Sequence, residues 1–378
     1  MTFSSFLPRT ESAHRSPALE PLAHLQYAQE LEYKNTAVWE FWKHHRLRPV
    51  LASLVPSPMP RGYRTTTKRR IPIAKQTVSL LEPPEHGRLY TFIAEKLSTP
   101  GYRALAGALN FVIVRGSYTE RTVIFNVCRL DGPIVKKLKN LSQHLPVFDA
   151  AVVSAFVFVD PTRSDYYLDI GEVPDGLKSK KLFGPEKIFV KFNESRYQFG
   201  PTLFSQVNHA MVPVMLEKVK GLLSPSPSGH LIDLYCGYGL FTHFLAPGFA
   251  HACGLEAVGP AVEAARENAK FHKGSGKTLF RTGRISGVTF ANLLPRSDGH
   301  PEYLFTDPPR QGMDPVSITA LCQRAPVRVV EACCGIDEVP GQVAAWEKGG
   351  YRLASAVPLD MFAGTAHLET LLLFEPHG

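Results

Sequence analysis

The chain has only six cysteines among 378 residues: Cys128, Cys236, Cys253, Cys322, Cys333 and Cys334. No two form a C-x-x-C pair. That usage gives no disulfide scaffold, zinc ribbon or four-cysteine iron–sulfur cluster, and no metal is expected. Reduced thiols of this kind suit a cytoplasmic protein. Long apolar runs are missing as well. The longest, Ala150 to Val159, is strand-length, well short of the roughly 20 residues a membrane helix needs. The stretch Met1 to Pro17 has no extended apolar core behind a basic start, so no secretory leader and no membrane attachment are expected. Internal repeats and low-complexity tracts are absent. With 44% apolar and 20% charged residues, the chain can bury a sizeable core, which excludes wholesale disorder. The length suits two or three domains.

What the chain does have is charge on one side. The net charge is +8, yet residues 1–200 hold 28 Lys and Arg against 18 Asp and Glu, while residues 201–378 hold 14 against 16. The surplus concentrates in Arg61, Arg64, Lys68, Arg69, Arg70 and Lys75, in Lys136, Lys137 and Lys139, and in Lys178, Lys180 and Lys181. A solvated basic surface could look like this. So segregated a surplus fits better with a polyanion-binding portion, most simply for nucleic acid, beside a neutral portion with another task.

Apolar spacing suggests helix over residues 18–50, where Ala18, Leu22, Leu25, Ala28, Leu31, Ala37, Trp39 and Trp42 recur at mixed three- and four-residue spacing. Prolines between Pro56 and Tyr63 break it. From Tyr63 to Lys191 short β-branched and aromatic runs (Asn110–Arg115, Arg121–Cys128, Val152–Val159, Lys187–Phe192) read as mostly antiparallel strands, with a helix at Pro133–Leu145. A helix is expected over residues 206–223. Beyond the loop Ser224–His230, strands ending near Leu234, Glu256, Asp307 and Ala332, and a last one at His367–Phe374, alternate with helices. That pattern predicts a parallel α/β sheet wound on both faces, a Rossmann-like domain. Three segments follow: a helical stretch 1–55, a basic α+β region 56–200 and an α/β domain 201–378.

In such a sheet, ligands sit beyond the carboxyl ends of the strands. The first strand ends in Asp233-Leu234-Tyr235-Cys236-Gly237-Tyr238-Gly239, where Gly237 and Gly239 permit close approach of a ligand to the backbone ahead of a helix N-terminus. The second ends in Glu256, an acid able to accept from both hydroxyls of a ribose. Together they indicate a nucleoside-bearing cofactor, either a nicotinamide dinucleotide or S-adenosylmethionine. Thr242 stands where the third glycine of G-x-G-x-x-G belongs, which disfavours the dinucleotide and a hydride-transferring enzyme. The turn Asp307-Pro308-Pro309 closing a later strand, together with the basic half, favours S-adenosylmethionine and a nucleic-acid substrate.

Four segments then resemble one family. Phe204-Ser205-Gln206-Val207-Asn208 is similar to its F-x-Q-x-N segment, and Leu234 to Phe241 to its L-Y-C-G-x-G-x-F loop. Asp307 to Asp314 is similar to D-P-P-R-x-G-L-D, and Asp360 to Glu369 to D-x-F-P-x-T-x-H-x-E. In this order over residues 204–369 they resemble the RNA (uracil-5-)-methyltransferases. The helical start, the proline-rich turn and Gly62-Tyr63-Arg64 look like the transfer-RNA branch. The ribosomal-RNA branches usually carry an iron–sulfur cysteine set, which this sequence lacks.

The resemblance implies RNA binding, with transfer RNA as partner and S-adenosylmethionine as cofactor; a monomer is expected. It puts Gln206, Tyr235, Gly237, Gly239, Glu256 and Asp307 at the cofactor. It also implies a cysteine that adds to uracil C6, making C5 nucleophilic, and a base that then removes the C5 proton. An ungapped match of Arg328-Val329-Val330 puts Cys334 at the nucleophile; a slip of one residue would put Cys333 there. Glu369 matches the base. Gly335-Ile336 replaces the family's Asn-Pro, and Ala363 its proline. Both changes are expected to loosen the loops that hold the reacting groups. The alternatives are a non-catalytic RNA-binding or RNA-folding protein retaining the fold, or a ribosomal-RNA uridine methyltransferase.

Overall fold

The computed structural model describes residues 1–8, 20–72, 79–164, 178–272, 277–296 and 298–377. Lys75, one of the basic cluster, and Ala18 lie outside the described residues, as does the side chain of Lys178. The chain forms two compact units: Met1–Pro60 together with Ala210–Gly378, and Arg61–His209. The first sixty residues therefore fold with the C-terminal part, not as a helical segment apart.

In the first unit, helix α1 (Tyr27–His44) is shorter than the sequence pattern suggests. Ala37, Val38, Phe41 and Trp42 are buried, but Trp39 is 42% exposed and takes no part in the core. Phe3, ahead of the helix, packs edge-on against Phe41 with ring centroids 6.2 Å apart, and its N–H donates to Asp337 Oδ1 at 2.6 Å.

The second unit is a five-stranded sheet in the order β1-β2-β3-β4-β5 with helices packed on it. Its elements are β1 (Thr66–Arg70), α2 (Pro84–Ser98), α3 (Arg103–Ala108), β2 (Leu109–Gly116), β3 (Arg121–Val127), α4 (Gly132–Phe148), β4 (Val152–Val159) and β5 (Lys178–Phe183). The hairpin β6 (Ile188–Phe192) and β7 (Ser195–Phe199) completes it. The pairing is antiparallel except between β3 and β4, which run parallel because α4 carries the chain across between them. One layer of core joins Leu89, Ile93, Leu138, Leu141 and Leu145 of the helices to Val112, Val114, Val123 and Phe125 of the sheet. Strand alternation splits the basic run of β1. Lys68 and Arg70 both lie over the Phe111 ring, each 4.7 Å from its centroid. Arg69 turns to the opposite side, onto Glu82 at 2.5 Å and over Tyr90.

The chain then returns to the first unit through α5 (Val212–Leu223), β8 (His230–Leu234), α6 (Leu240–Leu245), β9 (His251–Glu256) and α7 (Gly259–Asn268). It continues through β10 (Thr278–Thr282), β11 (Glu302–Thr306), α8 (Pro315–Cys322), β12 (Arg328–Cys333), α9 (Val339–Lys348), β13 (Tyr351–Leu359) and β14 (Glu369–Pro376). These strands form a seven-stranded sheet in the order β10-β9-β8-β11-β12-β14-β13. The doubly wound α/β expectation holds, with one correction: β14 is inserted antiparallel between β12 and β13. A short return after β13 cannot make the long crossover that a parallel neighbour requires, so β13 and β14 form a hairpin. Residues 50–55 run beside β13, with Ala52 N–H on Ala356 O at 2.8 Å and Val55 N–H on Pro358 O at 2.9 Å, and so cover that sheet edge. Among the described residues no helix is long and apolar enough to cross a membrane.

Candidate active site

The carboxyl ends of β8, β9, β11 and β12 lie along one edge of the sheet, in register Leu234 with Leu255 and with Thr306, and Thr306 with Glu331. Beyond β8 the chain turns sharply: Tyr235 has φ +61, Gly237 φ +53 and Gly239 φ +83. Tyr235 is a non-glycine residue in the left-handed region, a strain of about 1–3 kcal/mol that its surroundings must hold. At Gly239 a Cβ would come 2.9 Å from His243 and 3.1 Å from Ala265; at Gly237 it would meet nothing within 4 Å, so the loop there faces open space.

Glu256, at the end of β9, accepts from Gly237 N–H at 3.1 Å and Val258 N–H at 2.9 Å. It thus ties the glycine turn to the next strand. Beneath the turn, Asp233 is buried and accepts from the Thr242 hydroxyl. Thr242 therefore has work at the position where a dinucleotide site would want glycine. Burial, and then the nearby Asp307, push the Asp233 carboxyl up to about 8 despite the Thr242 bond. Burial likewise pushes Asp307 up to about 7.

The antiparallel register pairs Cys333 with Thr370, so Cys334, one residue on, leaves β12 beside Glu369 at the start of β14. The two cysteines face opposite ways. Cys333 is buried in the apolar core and its thiol donates to Glu331 Oε1 at 3.6 Å, while Glu331 Oε2 accepts from Trp346 Nε1 at 2.7 Å. Cys334 is half-buried, in the field of Glu369, Asp307 and Arg310. Burial first, then the two acids, push its thiol up to about 12, against the pull of Arg310. Glu369 is itself raised well above the usual carboxylate range, by burial and by Asp307, again opposed by Arg310. Its Oε1 is buried with no hydrogen-bond partner.

These acids test what the pocket accepts. Glu256 bonds to the open glycine turn, Asp233 lies in the field of Glu256 and Asp307, Asp307 in turn acts on Glu369, and the buried Glu369 Oε1 waits for a donor. A compact anion would add to the repulsion; a cation relieves it. S-adenosylmethionine carries a sulfonium and an ammonium beside a ribose, and the residues fit it.

The departures from the family pattern have physical counterparts. A Cβ at Gly335 would come 3.2 Å from Arg310 O, so glycine lets the Asp307-Pro308-Pro309-Arg310 loop approach closely. Ala363 is buried in a loop that the N-terminal helix holds down. The loosening expected there is offset by that anchorage.

Seven of the eight expected residues thus lie in the first unit. Gln206 lies in the second, on a loop held by a residue the sequence reading passed over. Arg115, 1% exposed, donates to Pro201 O at 2.5 Å, Leu203 O at 2.8 Å and Ser205 Oγ at 2.8 Å. Phe204 in that loop is 60% exposed. Asp233 and Thr242 were missed as site residues too, although an acid next to last in the central strand was a usable signal.

An α/β sheet in this strand order, with an acid-lined glycine turn at its switch point, defines a nucleoside-cofactor enzyme of the methyltransferase class. A model of the tRNA (uracil-5-)-methyltransferase family matches residues 177–376, and the chain belongs to that family. It is accordingly an S-adenosylmethionine-dependent RNA methyltransferase. An uncharacterized RNA methyltransferase of Enterococcus faecalis is 26% identical across 94% of this chain and 80% of that protein. One from Halalkalibacterium halodurans is 25% identical over the same shares. The fold is shared with the Pyrococcus abyssi tRNA (uracil-54, C5)-methyltransferase, solved in complex with S-adenosyl-L-homocysteine. The TM-score is 0.68 at 22% identity, covering 97% of this chain and 86% of that one.

Proposed function

We propose that the chain methylates C5 of the T-loop uridine in transfer RNA through a covalent adduct, with Cys334 as nucleophile and Glu369 as base. The observation that carries this reading is the meeting of Cys334 and Glu369 at neighbouring ends of β12 and β14, beside Asp307 and Arg310. The shared fold of the Pyrococcus abyssi enzyme, named for uracil-54, supports the choice of RNA.

Tyr235, Gly237, Gly239, Glu256 and Asp307 hold the cofactor. When bound, S-adenosylmethionine supplies a methyl group activated by its sulfonium. The Glu256 oxygens, each with one backbone N–H, keep lone pairs for the ribose hydroxyls. The target uridine is turned out of its stack, since C6 is otherwise covered. The Cys334 thiolate bonds to C6, and the C5–C6 π pair moves to C5, which takes the methyl group. Glu369 removes the C5 proton, the π bond re-forms, and the C6–S bond breaks to return the thiolate. Arg310 opposes, without cancelling, the rise that burial and the two acids impose on the Cys334 thiol. Lys68 and Arg70, over Phe111, serve the RNA backbone.

The test is methyl transfer from labelled cofactor to tRNA, with the modified nucleotide mapped. The reading expects 5-methyluridine at one T-loop position, lost when that uridine becomes cytidine. Methylation confined to ribosomal RNA would move the substrate. No transfer to any RNA, with RNA binding intact, would make the chain a non-catalytic RNA-binding protein.

A further inference from the structure

The N-terminal helix carries two fully buried charged residues, Glu30 and Lys34, and the part-buried Tyr27, all turned toward one loop. Glu30 and Lys34 are both completely buried, 2.9 Å apart, one turn apart on α1. Lys34 Nζ also reaches Asp360 Oδ1 at 2.7 Å, another fully buried carboxylate. Tyr27 OH donates to Asp360 Oδ2 at 2.9 Å and accepts from Ser57 N–H at 2.6 Å. All of this converges on the loop between β13 and β14, whose last step leads into Glu369. Lys34 Nζ donates to Phe362 O at 3.3 Å, Gly364 N–H donates to Glu30 Oε1, and Leu22 N–H donates to Gly364 O at 3.1 Å. Within the loop, His367 N–H is fixed on Thr365 Oγ1 at 3.1 Å.

Buried charges add little to stability compared with apolar residues of the same shape, but they hold one geometry well. On this loop the geometry has a use. The loop lacks the proline that the family pattern puts at Ala363, and the carboxylate at its end must meet one particular proton. We infer that Tyr27, Glu30 and Lys34 are positioning residues for Glu369: a buried strut that clamps the Asp360–Thr365 loop and so aims the base at C5. The inference rests on the reading of Glu369 as the base. It gives the first sixty residues a part in one chemical step, proton removal, separate from RNA or cofactor binding.

Misaiming the base slows the step after methyl transfer, so the methylated adduct on Cys334 should accumulate. Three variants test this on ordinary uridine tRNA: Tyr27→Phe, Lys34→Met, and the neutral triple change Glu30→Gln, Lys34→Met, Asp360→Asn. The triple change avoids stranding a buried charge if Lys34→Met alone unfolds. The triple variant should fold, bind S-adenosylmethionine within about twofold of wild type and keep its RNA KM, while kcat falls roughly ten- to a hundredfold. A denaturant-stable, methylated protein–RNA adduct should build up, with a smaller effect in Tyr27→Phe. Lost kcat without adduct, equal loss of cofactor affinity, or unchanged kcat would each overturn the strut. Glu369→Gln run beside them separates the two readings. If Glu369→Gln traps adduct and the triple variant does not, only the strut fails. If Glu369→Gln traps none, the base assignment fails and the strut with it.

Discussion

In residues 61–209, 22 Lys and Arg stand against 13 Asp and Glu, and several of the cations lie over aromatic rings: Lys68 and Arg70 on Phe111, Lys137 on Tyr102, Arg196 on Phe189. In residues 1–60 and 210–378 the balance is 20 against 21, and the acids that matter are withdrawn from water, each raised by burial. The contrast is between cations kept near the surface, where a polyanion can reach them, and anions packed close enough to repel, where a small cation is welcome. A net charge of +8 conceals both. Partner choice follows the local arrangement of charge, not its sum.

Changes in the acidic unit should damage chemistry and cofactor binding without weakening the grip on RNA. The largest effect is expected at Glu369. Glu369→Gln should lower turnover roughly 10²- to 10⁴-fold, the usual contribution of a positioned general base, with RNA affinity by filter binding unchanged. A matching loss of RNA affinity would blur the division between the units. Next in size is Glu256→Ala, which removes hydrogen bonds of a charged group worth about 1.5–3 kcal/mol. Cofactor affinity should fall roughly ten- to a hundredfold by calorimetry; an unchanged value would remove Glu256 from the pocket.

Changes in the basic unit should do the converse. Lys68→Ala with Arg70→Ala should flatten the log–log salt dependence of RNA binding by about 1.4, at roughly 0.7 for each single-strand phosphate contact. Cofactor affinity should not move. Arg69 is left out because its charge is committed to Glu82. A slope unchanged by the pair would mean that this face does not meet RNA.

The smallest effect concerns protons. Asp307 is raised to about 7 in the free protein, so between about pH 4 and 7 the folded chain keeps a proton that the unfolded chain has lost. Its contribution to stability is fully present below pH 4 and is lost as pH rises through 7. A bound cation reverses the shift. S-adenosylmethionine should therefore release part of a proton near pH 6.5 and bind more tightly as pH rises toward 7. Calorimetry in two buffers of different ionisation enthalpy measures this, and equal observed heats in the two buffers would oppose a cation-accepting acid cluster.

Much of this was legible in the sequence because it is local. The strand ends at Leu234, Glu256 and Thr306 carry their motifs within a few residues, and apolar runs mark the strands that present them. What stayed hidden depends on distant partners. Lys34 reads as an ordinary exposed helix lysine; besides Glu30 one turn away, it is Asp360, 326 residues away, that makes its burial tolerable. Arg115 has the same standing toward Pro201 and Leu203. Arg69 looks equivalent to Lys68 and Arg70 until strand alternation turns it the other way. Strands β10 and β13 went unassigned because their apolar residues are too sparse or too interrupted to show a period, whereas in helix α2 the four-residue recurrence of Leu89, Ile93 and Leu97 was a usable signal. The antiparallel return of β14 is a property of the hairpin, which apolar pattern does not encode.

The proposed catalytic cycle depends on which cysteine attacks uracil. A tRNA carrying 5-fluorouridine at the target offers no C5 proton for Glu369 to remove, so the adduct cannot resolve once C5 is methylated. Wild-type protein with S-adenosylmethionine should form a denaturant-stable complex with this RNA, and none without the cofactor. Cys333→Ala should keep the complex, since that thiol points into the core toward Glu331, and Cys334→Ala should abolish it. A complex that survives Cys334→Ala and is lost in Cys333→Ala would contradict the account.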